Sequence, residues 1–240
     1  MLSNVKKLLI ADLMRLKKYN ILQISTIFAV IYAVIIGFTS AAEATALVPL
    51  LVFIDATMMS IIMLGASLFF EKQEGSLKSV MVAPVKLWEV IASKVLSAVL
   101  LSLITAIIVG GAAILIHGAQ INLALLAVYA FLGAMAHVMI GFVLVIWSKD
   151  FNALIINYIL YVLIFTLPAL FVLTGLIPSS WEFIIYISPA YIVELLLNTA
   201  AGQALSVWGL IGSIAYLVAI SVVIFKFFVT KKFKQYVMRG

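Results

Sequence analysis

Asp55, His137 and Asn157 are polar side chains that stand inside largely apolar stretches of this sequence. Asp55 lies in the outer part of the run Leu47 to Phe70, His137 in the middle of Leu123 to Trp147, and Asn157 in the inner part of Ala153 to Gly175. A charge at membrane depth costs on the order of 3 kcal/mol on insertion scales, so Asp55 needs a reason to be there. It reads as a cavity-lining group that meets a polar or cationic substrate, or as a protonated or hydrogen-bonded contact between helices. His137 and Asn157 are weaker candidates for a substrate path, because neutral polar side chains commonly join helices in lipid. Gly133 and Gly141 flank His137 at helical spacing and put small residues on its face. Hydrolytic and metal chemistry find no support. His117 and His137 belong to no His-Glu-x-x-His pair, no Gly-x-Ser-x-Gly elbow is present, and cysteine is absent. No Gly-x-x-x-x-Gly-Lys-Ser/Thr phosphate loop occurs either, so no catalytic residue, metal or cofactor is expected on this chain.

The most charged internal segment follows Phe70 and runs from Glu71 to Glu89. Its middle reads as a short amphipathic helix, with Ser76 as N-cap after a permissive Gly75 and with Leu77, Val80 and Met81 on one face. Pro84 disfavours helical geometry at Ala83 and ends it. A short helix with an apolar face, held between two membrane spans, suits docking into a groove on a cytosolic partner.

The elements that would hold these residues are membrane helices. The chain is 66% hydrophobic and 10% charged over 240 residues, with a mean hydropathy of +1.30, whereas soluble domains carry about 25% charged residues. Apolar runs near the roughly 20 residues that cross a bilayer recur at Ile21 to Ala41, Leu47 to Phe70, Val90 to Ile116, Leu123 to Trp147, Ala153 to Gly175 and Val207 to Val229. They lack the period-two alternation of barrel strands, so the expected fold is all-α and polytopic, with six spans in one domain covering residues 1–240. A signal peptide has a shorter apolar core, and the first run reads as a retained helix. The net charge of +6 is explained by topology rather than by nucleic acid. Lys6, Lys7, Arg15, Lys17 and Lys18, then Lys72, Lys78, Lys86 and Lys94, then Lys149, then Lys226, Lys231, Lys232, Lys234 and Arg239 all fall on one side of a six-span arrangement. The positive-inside rule puts that side, with both termini, in the cytosol. The basic tail after Lys226 also suits anionic lipid head groups, at about 1 kcal/mol per basic residue near the surface.

Two flanking elements complete the reading. Residues 1–20 form an interfacial helix, with Leu2, Val5, Leu9, Leu13 and Leu16 on one arc and Asp12 placed to pair with Arg15. Residues 176–203 are too apolar for a solvated loop, and their two apolar runs are each too short to span. They read as a re-entrant pair, Phe183 to Ile187 and Ala190 to Leu197, divided by Pro189, with Trp181, Tyr186 and Tyr191 at the interface.

The series Glu71, Gly75, Ser76, Leu77, Pro84 and Lys94 resembles, in order and spacing, the loop after the second span in membrane subunits of ATP-binding-cassette exporters of the type-2 permease class. Lys78, Ala83 and Ser93 depart from that pattern. Ile187-Ser188-Pro189-Ala190-Tyr191 is similar to the family's outer motif, and the resemblance covers the whole chain. It implies that the short helix is a coupling helix, carried by Glu71, Gly75, Ser76, Leu77, Val80, Met81 and Pro84, seated on a separate cytosolic ATPase subunit that holds ATP and magnesium. It further implies a second permease chain, the same or a sister, a plasma-membrane location, and export of a hydrophobic or amphipathic drug, peptide or lipid. Two other readings stay open: an ion-coupled transporter or channel using Asp55, and an immunity or sensory subunit that binds a peptide.

Overall fold

The computed structural model describes residues 2–173, 175, 176, 178 and 182–238, and only the backbone of Leu2, Ser3, Leu173 and Glu182. Trp181 and Arg239 lie outside the described residues. All regular structure among those described is helical. In chain order the helices are α1 (Leu2–Lys18), α2 (Ile21–Gly37), α3 (Ala41–Gln73), α4 (Ser76–Val82), α5 (Leu87–His117), α6 (Leu123–Trp147), α7 (Phe151–Val172), α8 (Glu182–Ile185), α9 (Pro189–Ala200) and α10 (Val207–Met238).

Five helices, α3, α5, α6, α7 and α10, are each long and apolar enough to cross a bilayer, and α2 supplies a sixth when taken with α1. The α1–α2 pair is bent by 74°, with Asn20 at the corner in the left-handed region at φ 59°, a conformation asparagine tolerates. A helix carrying apolar and basic arcs therefore lies nearly across the spans, the geometry of an interfacial element.

Several boundaries differ from the hydropathy reading for identifiable reasons. The second span begins at Ala41 because Ser40 and Glu43 close a capping box: the Ser40 amide donates to Glu43 Oε2 (2.8 Å) and the Glu43 amide donates to Ser40 Oγ (3.4 Å). The last helix continues nine residues past Val229 as Thr230–Met238, where Phe233, Tyr236 and Val237 share a stripe and are buried on the bundle. The basic tail after Lys226 is thus the end of a packed helix, with Lys231, Lys232 and Lys234 on its exposed face.

Between the fifth and sixth spans the described residues form the two short helices α8 and α9, and Pro189 opens the second instead of lying between them. Ser188 is its N-cap, and its Oγ accepts from the Tyr191 amide (3.3 Å), with proline at the first helical position where no amide is needed. The same hydroxyl donates to the Phe165 carbonyl (2.7 Å), and Tyr216 donates its hydroxyl to the Ile187 carbonyl (2.6 Å). Phe165 belongs to a π-turn, Val162–Thr166, whose wide spacing frees carbonyls for such partners. These bonds hold the start of α9 about 10 Å inside the end of α7, at 1.5 Å per residue. From there α9 returns to the surface, where the Asn122 amide donates to the Ala200 carbonyl (2.8 Å).

Two apolar cores divide the bundle. One, at the end where the basic residues gather, contains Leu68, Leu77, Ile91, Phe142 and Phe233; the other, at the opposite end, contains Val48, Phe53, Leu126, Val193 and Leu197. The most thinly covered spans are α7 and α10.

Candidate functional site

At the charged end, α1, α3 and α5 converge on a buried ionic cluster. Glu71 is in the last turns of α3 and Lys94 in the second turn of α5, so the loop that carries α4 forms a hairpin whose two stems face each other there. Lys94 Nζ lies 2.7 and 2.8 Å from the two Glu71 oxygens and 3.2 Å from Asp12 Oδ1. Arg15 donates to Asp12 Oδ1 at 2.9 Å and reaches Glu71 Oε2 at 3.5 Å. Hydroxyls fill the remaining acceptor positions: Ser67 donates to Glu71 Oε1 (2.9 Å) and Ser93 to Asp12 Oδ2 (2.6 Å). Glu71 is 0% exposed, Lys94 3% and Asp12 5%. Charges taken this far from water persist only when paired and hydrogen-bonded, and here two carboxylates balance two cations.

The Asp12–Arg15 pair follows from helical spacing. The meeting of both with Glu71 and Lys94 was missed, although a signal existed: Asp12 interrupts an apolar arc, and Lys94 sits just inside the third span. Each needs a buried partner of opposite charge. A second, exposed contact reinforces the junction, where Lys18 Nζ and the Tyr19 hydroxyl both reach Glu74 at 2.8 Å. The Lys18 hydrogen bond holds the Glu74 carboxyl below the usual carboxylate range. Partial burial, helped by Glu74, pushes the Tyr19 phenol up to about 12.

The geometry of α4 corrects two expectations. Gly75, not Ser76, is the N-cap, in the left-handed conformation at φ 71° that glycine takes without penalty. Ser76 is the first helical residue, and its hydroxyl donates back to the Glu71 carbonyl (3.2 Å), closing the end of α3. The second correction concerns the apolar face. Leu77 is fully buried in the chain's own core, in the cluster that also holds Phe233 and Val237, and Met81 packs against that cluster. An apolar stripe on a tethered helix finds the nearest apolar surface, which the last turns of α10 supply. The outward face is instead Lys78, Ser79 and Val82, with Val82 81% exposed and Val80 at the margin. The helix stops at Val82, Ala83 is extended at ψ 156°, and Pro84 is exposed, the geometry a following proline imposes.

The polar residues within the spans do not form one path. Asp55 is buried, accepts from the Thr105 hydroxyl (3.2 Å), and faces a void of about 10 Å³ shared with Ser25, Ser60 and Ser102, room for about one water. His137 is fully buried. Its Nδ1 meets the Gly133 carbonyl at 2.9 Å and its ring packs edge-on against Tyr161, with centroids 5.9 Å apart. Asn157 alone reaches a sizeable cavity: it donates to Ser148 Oγ (3.0 Å) at one end of an apolar cleft of about 770 Å³ bounded by α6, α7, α10 and the start of α9.

The fluoroquinolones export permease protein family matches residues 3–240 of this chain. Among curated proteins, the fluoroquinolones export permease proteins of Mycobacterium tuberculosis strains CDC 1551 / Oshkosh and ATCC 25618 / H37Rv are similar to it. Each is 26% identical over 155 residues, which is 64% of this chain and 63% of the relative. The chain thus spans less than two thirds of the length of these relatives.

Proposed function

Since the chain belongs to the fluoroquinolones export permease protein family, we propose that it is the membrane half of an ATP-driven exporter whose ATPase is a separate cytosolic subunit. The observation that carries this reading is the junction at the charged end. The loop bearing α4 is pinned through Glu71 and Lys94 to two spans and, through Asp12 and Arg15, to the interfacial helix α1. A push on the exposed face of α4 would therefore move α1, α3 and α5 together instead of bending a loose loop. Lys78, Ser79 and Val82 make the contact with the ATPase, Gly75 and Pro84 set the ends of the contact helix, and Glu71, Leu77 and Met81 transmit its movement inward. ATP and magnesium stay on the partner.

With this arrangement the charged end faces the cytosol, both termini included, and the chain resides in the plasma membrane. A second permease chain completes the translocation unit. The cargo is hydrophobic or amphipathic; the relatives' names give fluoroquinolones export as theirs. The cleft at Asn157 is the opening through which such a molecule would leave the inner leaflet. Asp55 and His137 act as interhelical contacts rather than as points on the route.

Co-expression with a partner ATPase tests the reading. The expected result is a stoichiometric complex whose vesicles accumulate an apolar dye only with ATP and magnesium. Flux driven by an ion gradient through the chain alone, with no ATPase bound, would overturn it in favour of an ion-coupled transporter.

A further inference from the structure

The cleft beside α7 and α10 has chemistry that the export reading does not use. Its walls are apolar and open to the side, with Ile164 61%, Leu160 50% and Val223 52% exposed. Along α10 its lining runs from Tyr216 to Phe228, about 18 Å at 1.5 Å per residue, close to the roughly 15 Å of hydrocarbon in one leaflet. The inner floor is made by Tyr216 and Ile187, tied together by their hydrogen bond.

The mouth is basic. Lys232 Nζ stands 4.8 Å from the Phe228 ring centre, and Lys226 and Lys231 stand 5.7 and 5.6 Å from that of Phe227, both rings being part of the lining. All three lysines are exposed, and among the described residues no carboxylate lies within ion-pair distance of them. Trp147, 63% exposed, packs edge-on to Phe228 at the same level, where an aromatic ring suits the boundary between hydrocarbon and head groups.

We infer that this cleft is a binding site for an anionic phospholipid of the inner leaflet, its acyl chain lying between α7 and α10 and its phosphate held by Lys226, Lys231 and Lys232. Charge decides between this occupant and a second copy of the chain. A two-fold interface through the cleft would set each lysine rim against its own counterpart with no acid in the lining to relieve the repulsion. A lipid phosphate instead receives three donors, and the apolar walls receive a chain of matching length. The site is independent of whether the cleft also admits cargo, so failure of export would leave this inference standing.

The test is native mass spectrometry of the purified full chain titrated with phosphatidylglycerol and with phosphatidylcholine of identical acyl chains. The expected result is a preference for the anionic lipid of roughly tenfold to a hundredfold, the scale that a few lysines at a bilayer surface supply. The Lys226→Gln/Lys231→Gln/Lys232→Gln variant should bind both lipids equally and weakly. Ile164→Trp/Val223→Trp, which fills the cleft from exposed positions, should lose both. Equal binding of the two lipids by the unaltered chain would overturn the inference, as would full retention of lipid by the filled variant. So would rapid cross-linking of an Ile164→Cys chain to its own copy in lipid-free form, a measurement that the absence of native cysteine makes clean.

Discussion

Lys94 on α5 holds both carboxylate oxygens of Glu71 on α3, at 2.7 and 2.8 Å, with the two side chains almost entirely out of water. Such a pair is a poor source of net stability, because desolvation offsets most of its attraction, but it is costly to break from one side. Lys94→Met leaves Glu71 and Asp12 buried with Arg15 as their remaining charged partner. Unfolding in detergent should become easier by about 3–5 kcal/mol. Glu71→Met/Lys94→Met removes the orphaned charge, leaves Asp12 with Arg15, and should recover much of that loss. Equal destabilisation by the single and double variants would show that the pair does not carry the effect.

The two faces of α4 should respond oppositely to substitution. Leu77→Ala opens a cavity in the core cluster that also holds Phe233 and Val237 and should cost about 2–5 kcal/mol of stability, the range for a buried leucine. Val82→Asp changes a side chain that is 81% exposed and should leave the thermal transition within about 0.5 kcal/mol of the unaltered chain. In complexes with the ATPase, Val82→Asp should weaken binding or separate ATP hydrolysis from export. Normal export by Val82→Asp vesicles would move the contact elsewhere on the loop.

These two sites also mark where the sequence is readable and where it is not. Hydropathy located the spans and the shorter helices that flank them, because bilayer thickness and backbone hydrogen bonding leave few alternatives. Glu71, Gly75, Leu77 and Pro84 stood out as a loop with a purpose. The direction in which Leu77 points was not legible, since an apolar stripe on a short helix reads the same whether it meets its own bundle or a partner. What decided it was Phe233, Tyr236 and Val237, three residues in a segment whose lysines dominate the one-dimensional pattern. The ionic cluster was hidden for a related reason: Asp12, Glu71 and Lys94 are far apart in sequence, and only the bend at Asn20 brings α1 against the hairpin stems.

Asp55 separates a structural role from a titrating one. It accepts one hydrogen bond from Thr105 beside a void about the size of a single water, so Asp55→Asn keeps an acceptor of the same shape. Export driven by ATP should stay within about threefold of normal, the scale of a neutral polar contact between helices worth about 0.6 kcal/mol on average. Loss of transport in Asp55→Asn with an unchanged melting temperature would instead assign the residue a proton or cation, and would revive the ion-coupled alternative.

Gly133 tests whether α9 is a fixed part of the bundle. A Cβ at this position would meet Val193 Cγ1 at 2.7 Å and Cγ2 at 3.0 Å, closer than packed carbons tolerate, and Val193 is fully buried on α9. Its β-branched side chain has little rotamer freedom in a helix, so α9 itself must move away from α6 to relieve the contact. That movement would strain the Ser188 and Ile187 bonds that tie the start of α9 to α7 and α10. Gly133→Ala should therefore destabilise the chain by about 1–3 kcal/mol, the usual cost of overpacking a core. Val193→Ala alone leaves a cavity and also destabilises. The combined Gly133→Ala/Val193→Ala variant exchanges one volume for the other and should be more stable than the sum of the single effects predicts. Thermal unfolding of the four proteins gives the coupling directly, and strict additivity would mean that α9 does not seat against Gly133.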